Sequence, residues 1–251
     1  MKFLRFVGKD NVERYGWLHD DCVGLVEGNL FGEYRRLEAS FKLSEVKILA
    51  PVIPEKIICL GRNFVEHAKE QGVEVPESPL IFLKPPSAVI AEAEEVVLPL
   101  QSQQVEHEAE LVVVIGKQGR WIPIEDAQNY VFGYTIGNDI TARDLQAKDG
   151  QWTRAKGFDT FCPLGPWIET ELDPSDLLIT CRVNSELRQM ASSSEMVFSV
   201  PQVIAYVSSI MTLKPGDLIF TGTPSGIGSI VSGDEMEIEI EGIGVLHNRV
   251  A

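Results

Sequence analysis

Three carboxylates crowd one short stretch, Glu106-His107-Glu108-Ala109-Glu110, directly ahead of the apolar run Leu111-Val112-Val113-Val114-Ile115. In an extended strand alternate side chains share a face, so Glu106, Glu108 and Glu110 point one way and His107 and Ala109 the other. The apolar run takes this strand into a core. Carboxylates at such an entry repel each other and are costly to desolvate. A divalent cation resolves both problems; for the alternating pattern alone, an exposed polar face is the plainer alternative. Further along, Asp139 in Gly137-Asn138-Asp139-Ile140-Thr141-Ala142-Arg143 ends a strand ahead of a helix, where a carboxylate either faces a site or serves as a cap. Three carboxylates with no softer ligand suit Mg2+ or Mn2+ better than zinc, and such a set leaves positions for water and a chelating substrate.

A second pair, His67 and Glu70, stands three residues apart on one helical face. A carboxylate beside an imidazole orients it and raises its basicity, as a general base requires, although a solvated surface pair has the same spacing. Lys156 follows Trp152-Thr153-Arg154-Ala155 and precedes Gly157-Phe158, a setting for a substrate cation or for an ordinary solvated lysine. The loop Thr221-Gly222-Thr223-Pro224-Ser225-Gly226-Ile227-Gly228 lacks the GKS/GKT ending of a phosphate loop. Its backbone N–H groups suit a carboxylate or form a tight turn. His19 and His247 stand apart from these clusters and read as surface or packing residues.

The elements that position these groups are mostly strands. Lys2 to Val7, Arg14 to Leu18 and Cys22 to Val26 are β-rich, with turn signals at Asp20-Asp21 and Glu27-Gly28-Asn29. Ala50-Pro51 and Ile53-Pro54 mark a connection, placing a small N-terminal β module at residues 1–50 and the main domain at residues 51–251. In the main domain, Lys56 to Cys59, Leu80 to Leu83, Glu106 to Gly116, Val131 to Ile140, Leu177 to Val183, Asp217 to Phe220, Glu235 to Glu241 and Gly244 to Val250 read as strands. Asn184-Ser185 makes a hairpin turn. Asn63 is expected to cap a helix ending near Gly72, Thr141 a helix through Gln146, and Val200 to Leu213 has helical periodicity. The rhythm is that of a β-dominated α+β domain, not a doubly wound fold.

Composition limits the partners. The 251 residues are 44% hydrophobic and 24% charged, as in ordinary globular proteins. With 22 Lys+Arg against 37 Asp+Glu, the net charge of −15 repels nucleic acid and anionic membranes. An acid substrate therefore needs a local cation or metal. Cys22, Cys59, Cys162 and Cys181 lie far apart without a CxxC pair, so free thiols are expected. The first residues interrupt apolar positions with charge, unlike a signal peptide, and the apolar runs are too short to span a bilayer. A cytoplasmic protein is expected.

The motifs Gly61-Arg62-Asn63-Phe64, Phe82-Leu83-Lys84-Pro85, His107-Glu108-Ala109-Glu110-Leu111, Asp139-Ile140-Thr141-Ala142-Arg143-Asp144, Lys156-Gly157-Phe158-Asp159 and Thr221-Gly222-Thr223-Pro224 occur in this order. Together they resemble the fumarylacetoacetate hydrolase superfamily, from about Ile57 to the C-terminus, and within it the acylpyruvate hydrolase and oxaloacetate decarboxylase branch. The resemblance implies a mixed β-sandwich roll of the fumarylacetoacetate hydrolase C-terminal type behind the small β module, usually as a homodimer. It implies a metal triad of Glu108, Glu110 and Asp139, a substrate lysine at Lys156, and a His67–Glu70 dyad on a mobile helical lid. It also places Gln146 near the metal and Thr223 in a substrate loop. Arg143 and Lys84 complete the expected substrate-binding set.

The chemistry implied is that of small 2-oxo acids. The substrate carboxylate and 2-oxo oxygen would chelate Mg2+ or Mn2+, Lys156 would steady enolate charge, and His67 would activate water for C–C cleavage of an acylpyruvate. Oxaloacetate decarboxylation, keto–enol tautomerisation and isomerisation of a hydroxy-dienedioate share the enolate. A dienedioate would need a second cation for its distal carboxylate, for which Arg62, Lys84 and Arg154 are candidates. A metal-binding scaffold without catalysis is the alternative from another class. In the metal-free state, removing Glu108 or Asp139 is expected to relieve like-charge repulsion.

Overall fold

Alternating and wholly apolar runs fold here as strands, which dominate the chain. The computed structural model describes all residues from Met1 to Ala251. A 12-stranded mixed sheet runs in the order Tyr34–Lys42, Cys22–Gly28, Glu13–His19, Lys2–Val7, Cys162–Glu169, Val131–Asn138, Ala109–Ile115, Leu218–Phe220, Ile57–Gly61 and Leu80–Lys84, with two short strands off this path. A second, five-stranded sheet orders Glu186–Ser192, Leu178–Val183, Glu235–Ile240, Gly244–Val250 and Glu95–Val96. A small third sheet pairs Val105–His107 with Thr141–Ala142 and Gly228–Ser229.

The main core fills the space between the two larger sheets. Leu111, Val113, Ile115, Tyr134 and Ile136 meet Ile179, Cys181, Met236, Ile238, Ile240 and Leu246 there. Val112 and Val114, on the opposite face of the same strand, enter another apolar cluster with Ile57, Cys59, Leu218 and Phe220. Ala109–Ile115 is thus buried on both faces, which explains why its sequence stops alternating. The N-terminal strands have a small core of Leu4, Phe6 and Val23, yet they join the long sheet through antiparallel pairing of Lys2–Val7 with Cys162–Glu169. The fourth of them, Tyr34–Lys42, lacks the β-rich pattern of the first three, and its mostly exposed face explains why.

Four helices punctuate the strands: α1 (Val65–Glu70), α2 (Arg143–Asp149), α3 (Thr153–Lys156) and α4 (Val200–Ile210). None is long and apolar enough to cross a membrane. In α4, Val200, Val203, Ile204 and Val207 are buried at helical spacing. Two expected caps have other work. Asn63 does not cap α1; its amide donates to the carbonyls of Thr221 and Phe198, and its Oδ1 accepts the Phe198 N–H, so it staples three segments. Thr141 does not cap α2 and lies in a short strand, its hydroxyl bridging Glu108 Oε1 and the Asp139 carbonyl.

Candidate active site

Strand register builds the acidic centre. Ala109 pairs with Asn138 and Glu110 with Gly137 in an antiparallel ladder. One residue back, Glu108 stands opposite Asp139, and the Asp139 N–H donates to the Glu108 carbonyl at 2.9 Å. Glu110, two residues along from Glu108, returns to the same side of the strand. Ligand atoms of Glu108, Glu110 and Asp139 consequently lie within 4.8 Å of one another, and all three residues are buried. Asn138 fixes the junction, its Oδ1 accepting the Glu108 N–H at 2.9 Å.

Cations from three elements answer these charges. Lys156, at the end of α3, donates to Glu108 Oε2 at 2.8 Å and to Asp139 Oδ2 at 2.6 Å. Lys84, at the end of Leu80–Lys84, donates to Asp139 Oδ1 at 2.6 Å and to the Ile140 carbonyl. Arg143, opening α2, pairs with Glu106 and Glu108 and donates to Gln146 Oε1 at 2.6 Å.

The three acids are electrostatically unequal. Burial pushes the Glu108 carboxyl up, and the charges of Lys156, Arg143 and His67 more than reverse this, holding it well below the usual carboxylate range. For Glu110, burial and the neighbouring Asp139 and Glu108 outweigh Lys156 and the Gly222 N–H and push it far above that range. Its Oε2 accepts the Gly222 N–H at 2.7 Å, while its Oε1 is buried without a partner. For Lys156, burial works against the charge, and Asp139 and Glu108 more than restore it.

Helix α1 carries the buried His67, which shares the wall of a small cavity with Glu108 and Lys156. His67 Nδ1 is 3.4 Å from Glu70 Oε2, and Gln71 Nε2 donates to His67 Nε2 at 3.2 Å. Burial lowers the imidazole pKa against the pull of Glu108 and Glu70, so the ring is neutral near pH 7. Glu70 also accepts the Gly226 N–H, tying the helix to the glycine-rich loop.

Two adjoining cavities serve the centre. The inner one, about 10 Å³, is lined by residues including His67, Glu108, Lys156, Gln146, Arg143 and Thr223. The outer one, about 510 Å³, includes Arg62, Glu70, Gln71, Arg143, Gln146 and Trp152 in its wall. Glu110 and Asp139 line neither cavity, and of the expected substrate-binding residues Lys84 alone lines neither. Its ammonium is wholly enclosed against Asp139, which places it with the acids and not on a substrate surface.

The fumarylacetoacetate (FAA) hydrolase C-terminal family profile matches residues 56–251, and an Rv2993c-like N-terminal profile matches residues 1–51. The chain belongs to the fumarylacetoacetate hydrolase family. It is similar to an uncharacterized protein, MJ1656, of Methanocaldococcus jannaschii, with 50% identity over 226 residues, 90% of this chain and 93% of that one. It is also similar to human mitochondrial oxaloacetate tautomerase FAHD2A, at 48% identity over 220 residues, 82% of this chain and 70% of that one. The solved 5-carboxymethyl-2-hydroxymuconate delta-isomerase of Mycobacterium smegmatis superposes with a TM-score of 0.94 at 41% identity, covering 100% of this chain and 99% of that one.

The acidic centre of this fumarylacetoacetate hydrolase family member fits a hard divalent cation. Its donors are all carboxylate oxygens, and the unpartnered Glu110 Oε1 is the buried atom that a cation would satisfy.

One supporting residue escaped the reading of the sequence. Gln189, on the other large sheet, is fully buried, and its Oε1 accepts the Ala109 N–H at 3.0 Å and lies 3.1 Å from His107 Nδ1. Its Nε2 donates to Thr223 Oγ1 and the Pro224 carbonyl, both at 2.8 Å. The signal for it is phase: Gln189 pairs with Cys181, whose strand turns Ile179, Cys181 and Val183 inward, while the adjacent Arg188 and Met190 are exposed. A polar residue in an inward row is the clue.

Proposed function

We propose that this family member is an enzyme that interconverts the keto and enol forms of a small 2-oxo acid, oxaloacetate foremost. The observation that carries the reading is the inner cavity, whose wall brings the His67 imidazole together with the Lys156 ammonium and the Glu108 carboxylate. The 48% identity to a human oxaloacetate tautomerase supports the same substrate. Glu108, Glu110 and Asp139 would hold Mg2+ or Mn2+, which when bound supplies Lewis acidity to the substrate's carboxylate and 2-oxo oxygens. His67 takes the C3 proton onto Nε2, after Gln71 withdraws, and returns it to the oxygen at C2. Glu70 keeps the ring oriented through Nδ1. Lys156 stays charged and steadies the developing oxyanion. The inner cavity is far smaller than a four-carbon acid, so α1 and Gln71 move to admit substrate.

Hydrolysis of the acylpyruvate C–C bond is the second reading, favoured by one feature: the inner cavity has room for about one water beside His67. The deciding experiment supplies the Mg2+-loaded protein with enol oxaloacetate and with acetylpyruvate. The expected result is accelerated decay of the enol absorbance, outpacing pyruvate release from either compound. Absence of acceleration refutes the tautomerase reading; rapid pyruvate release from acetylpyruvate establishes the hydrolase. The homodimer belongs to the same proposal and is checked by light scattering at twice the chain mass.

A further inference from the structure

We infer that Arg62 is the subsite for a second carboxylate, so that the enzyme selects 2-oxo dicarboxylates over 2-oxo monocarboxylates. This rests on the proposed binding of one substrate end at the acidic centre and adds what holds the other end.

Arg62 is the one cation of the site with no anion to neutralise. Lys84 and Lys156 are held by Asp139 and Glu108, Arg143 by Glu106 and Glu108, and Arg154, another sequence candidate, by the exposed Asp149. Arg62 forms no ion pair, and its Nε is buried without a hydrogen-bond partner. In a chain of charge −15, a half-buried guanidinium with an unmet buried donor is a place for a ligand anion.

Local structure holds the group in that state. Gly61 lets Trp152 lie against the backbone, where a Cβ would come within 2.7 Å of the indole. The Arg62 guanidinium carbon stands 6.0 Å from the centroid of that indole. Its backbone is left-handed, with φ at 60°, a conformation that costs a non-glycine residue energy and is retained where the surroundings demand it. The side chain lines both cavities. It therefore shares the wall of the inner cavity with Glu108 and Lys156, so a dicarboxylate admitted when α1 and Gln71 move would meet Glu108 and Lys156 at one end and the guanidinium at the other. The planar fork of arginine is suited to receiving a carboxylate.

Calorimetry of the Mg2+-loaded protein with malate and with lactate, two 2-hydroxy acids differing in the distal carboxylate, tests this. Wild type should bind malate at least about 10-fold more tightly than lactate, as expected for one charge-assisted contact. Arg62→Met should weaken malate by about 10- to 100-fold and leave lactate unchanged, bringing the ratio to about one. The neutral Arg62→Gln gives the same readout should the Met variant not fold. A wild type without preference, or a variant that keeps it, overturns the proposal. In parallel, Arg62→Met should raise KM for enol oxaloacetate with little change in kcat. A collapsing malate-to-lactate ratio in a protein that does not tautomerise oxaloacetate supports Arg62 and refutes the catalytic reading.

Discussion

Replacing Gln189 with leucine should weaken both the fold and the acidic centre, although the two side chains are close in size. The amide makes contacts on both of its atoms: Ala109 N–H and His107 Nδ1 on Oε1, Thr223 Oγ1 and the Pro224 carbonyl on Nε2. Thr223 keeps its bond to the Ala109 carbonyl, and His107 Nδ1 keeps Cys181 Sγ at 3.5 Å. The Ala109 N–H and the Pro224 carbonyl lose the partner that Gln189 supplies. Each orphaned buried group costs about 1–3 kcal/mol, or about 2–6 kcal/mol for the two. Leucine burial offsets about 1–2 kcal/mol, leaving a net loss of up to about 5 kcal/mol, centred near 2–3 kcal/mol. Because Ala109 lies between Glu108 and Glu110, loosening it should also lower Mg2+ affinity by about 10- to 100-fold, the usual worth of a group that orients metal ligands. Urea unfolding at constant m-value measures the first effect and calorimetry the second. A wild-type urea midpoint together with wild-type Mg2+ affinity would refute the reasoning, since Gln189 would then neither support the fold nor position the acids.

The three acids should respond differently to neutralisation. Glu110→Gln should abolish Mg2+ binding in calorimetry while leaving the metal-free urea midpoint unchanged or higher. Asp139→Asn should also abolish it but cost about 3–5 kcal/mol, because buried Lys84 loses its only carboxylate and Lys156 one of its two; equal midpoints for the two variants would count against the ion-pair description. His67→Ala should slow oxaloacetate tautomerisation by about 10²–10⁴-fold with Mg2+ affinity unchanged and decarboxylation much less affected; equal losses of both reactions would assign His67 to structure. Burial pushes the Cys162 and Cys181 thiols up to about 12 and Cys59 up as well, so a thiol reagent at pH 8 should label Cys22 alone until urea exposes the rest.

Much of the fold was legible because burial imprints itself on local pattern. The hairpin at Asn184-Ser185 and the terminal strands carry alternation, turn chemistry or both. The convergence of Glu108, Glu110 and Asp139 rested on motif order, because the register that sets Ala109 against Asn138 leaves no mark in either segment alone. Polar residues misled where their partners are remote in sequence. Asn63 and Thr141 have the chemistry of caps, yet their partners are Thr221, Phe198 and Glu108. Lys84 has the charge of a substrate cation, and nothing local reveals that Asp139 claims it. Nor do Glu108 and Asp139 behave as the repelling pair their charges alone suggest: Lys156 bridges them, so removing either leaves a cation short of a partner.

A protein of charge −15 that is to take a doubly charged acid must reverse its field locally. Glu70, Glu106, Glu108, Glu110 and Asp139 bring five negative charges to the site when ionised, and Lys84, Lys156, Arg143 and Arg62 bring four positive ones. The charged side chains alone therefore offer a dicarboxylate no net attraction. A divalent cation at the triad adds the two positive charges that a dicarboxylate cancels, and it does so without disturbing Arg62, whose fork remains free for the far end. Under the proposed reading, metal and arginine are thus two halves of one electrostatic device: the first makes the site attractive to an anion, and the second distinguishes an anion with two carboxylates from an anion with one.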